Sequence, residues 1–197
     1  GVNFTSPSHG IFRNIPTKTT LYYENGKKSY LRANISDVEI NEAFSIHKNN
    51  KSTTFKIGDP YKLVNGQKNY QIKYTYSLGN DPLKDVDEFY FNIIGDQWNT
   101  TIDNVRFKVT LPEPYADLQK TAGFSLGTLD TRGYDPNYLK FVVKDNKTIL
   151  GIVKRQLLPN EALTIRATLP EGYFIKSFDL FGKEFIGVYI NAFGIGR

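Results

Sequence analysis

Three stretches of the chain alternate apolar and polar residues with a period of two, and this constrains the fold more than any other feature. Tyr70, Ile72, Tyr74 and Tyr76 alternate with Gln71, Lys73 and Thr75. Val105, Phe107, Val109 and Leu111 alternate with Arg106, Lys108 and Thr110, and Leu163, Ile165, Ala167 and Leu169 alternate with Thr164, Arg166 and Thr168. Successive side chains of an extended strand point to opposite faces, so each stretch predicts a strand with one side on a core. Phe89 to Ile94 is apolar on both faces and reads as a central strand. The 13 Tyr and 14 Phe suit a pleated, half-buried surface.

The punctuation points the same way. Asn65-Gly66, ahead of the Tyr70 stretch, predicts a type I′ hairpin, because both residues tolerate positive φ. Asp145-Asn146 predicts a second hairpin, and Asn80-Asp81-Pro82 and Leu158-Pro159-Asn160-Glu161 predict turns. Pro114 to Ala122 is the one place for a short helical turn, and Gly123 to Asn137 reads as a long irregular loop. The expected fold is all-β, an antiparallel β-sandwich with long loops and at most one short helix. One domain spanning 1–197 is expected, with two smaller sandwiches divided near 112–114 as the alternative.

Composition removes several function classes. The net charge of +5 is scattered, with Lys48-Asn49-Asn50-Lys51 as its densest cluster, and no basic stripe or recognition motif predicts nucleic-acid binding. There is no Cys, which excludes disulfides and thiolate metal sites within these residues. There is no Met, so Gly1 reads as the remnant of a cut and the chain as a piece excised from a longer protein. No apolar run approaches the ~20 residues of a membrane span, and the apolar tail Phe185 to Ile190 is short.

Catalytic chemistry is sparsely supported. His47 lies in the lysine-rich stretch Ser45 to Lys51, which reads as a solvated loop, and His9 has no acid or oxyanion motif near it. Glu88 and Asp96 would need the chain to turn at Gly95 before they could act as a glycosidase pair. Asp85, Asp87 and Glu88 lack the further ligands of a calcium loop. No catalytic residue, metal site or cofactor is therefore expected. Two groupings are candidates for ligand binding. Arg13, within apolar Ile11 to Ile15, is expected either to snorkel or to pair with a carboxylate, for which Glu88 is the preferred partner. Trp98, Tyr90 and Asn92 combine aromatic faces with an amide, a set that suits sugars when it is not simply core.

Three motifs in order, His9-Gly10-Ile11-Phe12-Arg13-Asn14-Ile15-Pro16, then Phe55-Lys56-Ile57-Gly58-Asp59-Pro60, then Asp87 to Trp98, are followed by Leu157 to Thr164 and Leu169-Pro170-Glu171-Gly172. Together they resemble the N-terminal domain of a bacterial family of predicted membrane proteins of unknown function, DUF2207. The resemblance covers nearly the whole chain. It implies a β domain at the extracytoplasmic face of the cell membrane, in a parent protein anchored by segments outside these residues. It implies no assigned activity. Family members usually carry a strand or two before the His-Gly motif, so the expectation here is either an incomplete sheet edge or strands that lie outside the fragment. Phe91 stands where the family often has Trp, against a dedicated stacking Trp at that position. The expected role is non-catalytic binding or interaction, with another envelope protein or a cell-wall glycan as partner. The alternatives are a structural spacer for the membrane part and a domain that binds or hydrolyses cell-wall polysaccharide.

Overall fold

The computed structural model describes residues 1–22, 26, 28–78, 85–174, 177–178, 184–185 and 189–193. Among them the chain is nearly all strand, with one short helix. It forms two compact units that divide between the eighth and ninth strands.

The first unit contains β1 (Val2–Ser8), β2 (Ile11–Pro16), β3 (Lys18–Tyr22), β4 (Lys28–Ile40), β5 (Phe44–Lys48), β6 (Ser52–Ile57), β7 (Val64–Lys68) and β8 (Ile72–Leu78). Antiparallel sheets β2-β6-β5 and β3-β4-β8 contribute to one core. Ile15, Phe55 and Ile57 come from the first sheet and Ile35 from the second, with Ile72, Tyr74 and Tyr76 of β8 packed against them. Tyr76 Oη donates to the Pro16 carbonyl at 3.1 Å, and Lys48 Nζ donates to the Ile35 carbonyl at 3.0 Å. Each bond therefore ties one sheet to the other. Burial raises the Tyr76 phenol to about 12.

Two glycines explain why the first two motifs of the sequence belong together. Gly10 precedes β2 and Gly58 follows β6, with φ of +128° and +137°. A Cβ on Gly10 would collide with the Ile57 carbonyl, and a Cβ on Gly58 would collide with the His9 carbonyl. Only hydrogen fits at this backbone crossing, and only glycine adopts these angles without strain.

The second unit contains β9 (Val86–Ile94), β10 (Arg106–Thr110), α1 (Leu118–Thr121), β11 (Ala122–Gly127), β12 (Leu139–Lys144), β13 (Thr148–Val153) and β14 (Ala162–Pro170). Two short strands, β15 (Ser177–Phe178) and β16 (Glu184–Phe185), pair with each other in the first unit, and β17 (Tyr189–Phe193) joins the second. Sheet β12-β13-β10-β17 faces sheet β11-β14-β9. Phe124 of β11 meets Phe107 of β10 at 5.1 Å and Phe141 of β12 at 4.7 Å between ring centroids. Phe107 lies over Gly151 of the neighbouring strand, in the space a Cβ would need.

Several expectations hold. Asp145 and Asn146 both take positive φ in the β12–β13 hairpin, and the single helix falls within Pro114 to Ala122. The Leu158 to Glu161 turn closes with Asn160 at positive φ and the Glu161 N–H donating to the Leu158 carbonyl. Others need correction. Asn65-Gly66 does not make a hairpin but lies inside β7, which pairs with β1; Gly66 opposes Phe4 beside a register irregularity, so its positive φ serves a bulge rather than a turn. Gly123 to Gly127, expected as the start of a loop, belongs to strand β11, because Ala122, Phe124 and Leu126 alternate into the core. His47 sits in β5, every residue of which is exposed. β9 pairs with β14 alone among the described strands, and the central strand of that sheet is β14. Residues 112–114, the alternative dividing point, lie within the second unit. Asn80-Asp81-Pro82 and 186–188 of the apolar tail lie outside the described residues.

The Leu158–Glu161 turn is clamped by charge. Arg155 Nη1 and Nη2 contact Glu161 Oε2 and Oε1 at 2.5 and 2.9 Å, and Glu161 Oε2 also accepts the Leu158 N–H at 2.7 Å. With its side chain only 10% exposed, Glu161 is held by the guanidinium below its ordinary value of 4.5.

The glycine crossing and the charged clamp can each be tested by stability. Gly10→Ala and Gly58→Ala should each destabilise the first unit by about 2–4 kcal/mol, read as a lower urea midpoint at unchanged slope. A loss below about 0.5 kcal/mol would rule out the close crossing. At Glu161 the folded carboxyl is depressed, so its contribution is present above the ordinary pKa and is lost as pH falls through the folded value. Glu161→Gln should cost about 2–3 kcal/mol at neutral pH, and this gap should narrow on acidification below about pH 4. A gap that stays constant down to about pH 3 would mean the clamp does not act through charge.

Candidate functional site

The polar face of sheet β11-β14-β9 brings together most of the residues that the sequence marks out. On β9, Phe89, Phe91 and Ile93 are buried, which sends Glu88, Tyr90 and Asn92 to the opposite face. On β14, Leu163, Ile165, Ala167 and Leu169 fill the core, leaving Thr164, Arg166 and Thr168 on that same outer face. The register sets Glu88 opposite Thr168, Tyr90 opposite Arg166 and Asn92 opposite Thr164. From β11, Gly123 stands beside Arg166 and Ser125 beside Thr164.

Three polar contacts organise this face. Arg166 grips Glu88 diagonally, with Nε and Nη2 at 2.8 and 2.6 Å from Glu88 Oε2. Glu88 is 11% exposed and Arg166 64% exposed, so the carboxylate is sheltered and its partner reaches out to solvent. Thr164 Oγ1 donates to Asn92 Oδ1 at 2.7 Å, with Thr164 buried. Arg132 approaches from the loop after β11. That loop is fastened by reciprocal backbone bonds between Leu126 and Gly133, at 2.7 and 3.1 Å, and by the Thr128–Thr131 hydroxyl bond at 2.8 Å. Arg132 Nη1 reaches the Tyr90 hydroxyl at 3.5 Å, and Nη2 lies 4.0 Å from Asp96. Among the described residues its Nε is buried without a partner.

The sequence candidates divide accordingly. Tyr90, Asn92 and Glu88 share the face. Trp98 lies past the strand end, half-buried, and its carbonyl accepts the Asn160 N–H at 2.9 Å, which ties it to the Leu158–Glu161 turn. Arg13 belongs to the first unit, half-buried on β2 opposite Phe55. Within the second unit Glu88 is met by Arg166, a guanidinium that β14 supplies from the adjacent strand. Glu88 and Asp96 do not form a facing pair. The extended stretch from Glu88 to Ile94 puts about 20 Å of strand between Glu88 and the turn leading to Asp96. Asp87 and Glu88 point to opposite faces, and Asp87 accepts the Phe174 N–H at 2.9 Å.

Two contributions to this face escape a reading of the sequence. Arg166 and Thr164 are visible there as the polar half of an alternating strand, but their neighbour on β9 is not. Arg132 falls in a stretch that reads as featureless loop, and only the Leu126–Gly133 bridge brings it over the sheet.

The family model described as "Predicted membrane protein (DUF2207) N-terminal domain" matches residues 1–169. No curated protein and no solved structure matches the chain. No helix among the described residues is long and apolar enough to cross a membrane.

A double-mutant cycle checks the charge pairing. Glu88 and Arg166, each replaced by Ala, should show a coupling of about 1 kcal/mol in urea unfolding. Glu88 and Arg13 should be additive. Coupling in the second pair and none in the first would restore the Arg13–Glu88 pairing.

Proposed function

The chain belongs to the DUF2207 family of predicted membrane proteins, as its N-terminal domain, and on that premise we propose that it is an extracytoplasmic, non-catalytic binding domain whose ligand is a polysaccharide of the cell envelope. The observation that carries this reading is the ordered polar face of β9 and β14. A core-packed sheet fixes the backbone, and Thr164 and Arg166 fix the side chains of Asn92 and Glu88. Sugar hydroxyls need donors and acceptors held in place before binding, since ordering them afterwards costs affinity. Tyr90, half-buried between Glu88 and Asn92, adds an aromatic body with a polar tip. The separation of Glu88 from Asp96, and the closure of Glu88 by Arg166, favour binding over hydrolysis.

A protein partner is the second reading, favoured by a different place. Tyr61 and Leu63 are 94% and 62% exposed on the segment between β6 and β7. That segment is held by Asp59 Oδ1 accepting the Tyr61 N–H and by a contact from the His9 ring to the Lys62 carbonyl.

Solubilised cell-wall polysaccharide titrated into the protein, followed by calorimetry, tests the first reading. Tyr90→Ala and Asn92→Ala should each weaken binding about tenfold or more, while Tyr61→Ser leaves it unchanged. Binding lost in Tyr61→Ser and kept in both others would move the ligand site to the first unit.

A further inference from the structure

Three arginines stand on or beside β14 in the second unit, and one differs from the others. Arg155 is 26% exposed and is met by Glu161 on two nitrogens and by the Gln156 carbonyl at 2.8 Å. Arg166 is 64% exposed and places two nitrogens on Glu88. Arg132 is the most covered of the three, at 18%, and the least satisfied. Among the described residues its polar contacts are the Tyr90 hydroxyl at 3.5 Å and Asp96 at 4.0 Å, and its Nε has no partner. A guanidinium withdrawn from water without short hydrogen bonds carries an uncompensated desolvation cost, and proteins keep such groups where something else completes them.

The surroundings indicate what completes it. The Tyr90 hydroxyl accepts from Arg132 and keeps its own proton to donate. Asn92 Oδ1 is occupied by Thr164 Oγ1, which orients the amide and leaves Nδ2 with both hydrogens. Tyr90 and Asn92 are two residues apart on one strand face, about 7 Å along it. The groups gathered here are thus chiefly donors around a fixed positive charge. The carboxylate that contacts the guanidinium, Asp96, is 44% exposed and at the limit of an ion pair, so a better-placed acceptor displaces it at little cost.

We propose that Arg132, with the Tyr90 hydroxyl and the Asn92 amide, receives an anionic group, a carboxylate or a phosphate, carried by the ligand polymer. This rests on the polysaccharide reading and narrows it to an acidic polymer. A planar guanidinium matches both anions through paired N–H donors. With Nε enclosed, the anion meets the Nη1–Nη2 edge, the same edge that faces Tyr90 and Asp96. The loop fastening at Leu126–Gly133 holds that edge in place before the ligand arrives.

The test titrates three polymers into the protein: polygalacturonate for carboxylate, poly(glycerol phosphate) for phosphate, and neutral dextran. Each is run against the wild type, Arg132→Gln, Arg132→Lys and the exposed first-unit control Lys62→Gln. The expected result is binding of one or both charged polymers and not of dextran. Arg132→Gln should weaken that binding about tenfold or more, with Arg132→Lys in between, and Lys62→Gln should leave it unchanged. The charged polymer that binds identifies the anion. Far-UV circular dichroism and a Tm within about 2 °C of wild type establish the fold of each variant. If Arg132→Gln fails to fold, Arg132→Lys decides in its place: weakened binding supports the site, and unchanged binding overturns it. Dextran binding as well as the charged polymers, unaffected at Arg132, would overturn the anion site and leave the polysaccharide reading standing. Equal losses in Lys62→Gln and Arg132→Gln would show diffuse charge attraction and overturn it too. No binding of any polymer would overturn both.

Discussion

Leu163, Ile165, Ala167 and Leu169 enter the core from one side of β14 while Thr164, Arg166 and Thr168 stand on the other. The antiparallel register of this strand with β9 then decides which of their side chains meet on the outer face. Phe91 must lie beside Ile165 and Phe89 beside Ala167 to keep the core filled. Once they do, Arg166 is within reach of Glu88, and Thr164 within reach of Asn92. A slip by one residue would expose phenylalanine and leucine side chains and bury a glutamate, so hydrophobic packing fixes the polar pattern without any polar contact having to choose it. The polar contacts then act on side-chain rotamers alone.

The first unit reaches order by a different route. Its buried cluster is small, with Ile15, Ile35, Phe55 and Ile57 at the centre and tyrosines around them. Tyrosines can serve there because their hydroxyls reach carbonyls at the rim, as Tyr76 does at Pro16. Strand β5 of this unit leaves Phe44 and Ile46 exposed, and it lies at the edge of its sheet. Its terminal Lys48 is turned inward onto Ile35.

The strands with clean alternation are legible in the sequence, because burial of one face leaves a period of two that no tertiary context can erase. The β12–β13 hairpin and the Leu158 turn are legible for the same kind of local reason, since Asp, Asn and Pro act on their own backbone. Pairing is not legible. Asn65-Gly66 carries the strongest hairpin signal in the chain, yet β7 is paired by β1 from the far end of the unit's sequence, and glycine serves a bulge as readily as a turn. Phe89 to Ile94 reads as two-faced apolar only because Tyr90 counts as apolar; on the sheet it stands between Glu88 and Asn92, with Arg132 at its hydroxyl. The candidate site is half legible. Tyr90, Asn92 and Glu88 are found by type and spacing, whereas Arg132 and Arg166 are brought to them by strand order and a loop bridge that leave no local trace.

The crossing of Gly10 with Gly58 has an evolutionary consequence. At most packed positions, an enlarged side chain can be accommodated by a smaller neighbour, so pairs of sites drift together. Here each glycine is confined by the main chain next to the other, and main chain cannot be made smaller. No second substitution rescues the first, and the two sites are locked independently rather than co-varying. Change in this part of the fold is channelled away from the crossing and into the exposed segment that follows it, where the side chains of Tyr61 and Leu63 meet no such backbone limit. The surface most open to variation is thereby hung directly on the point that can vary least.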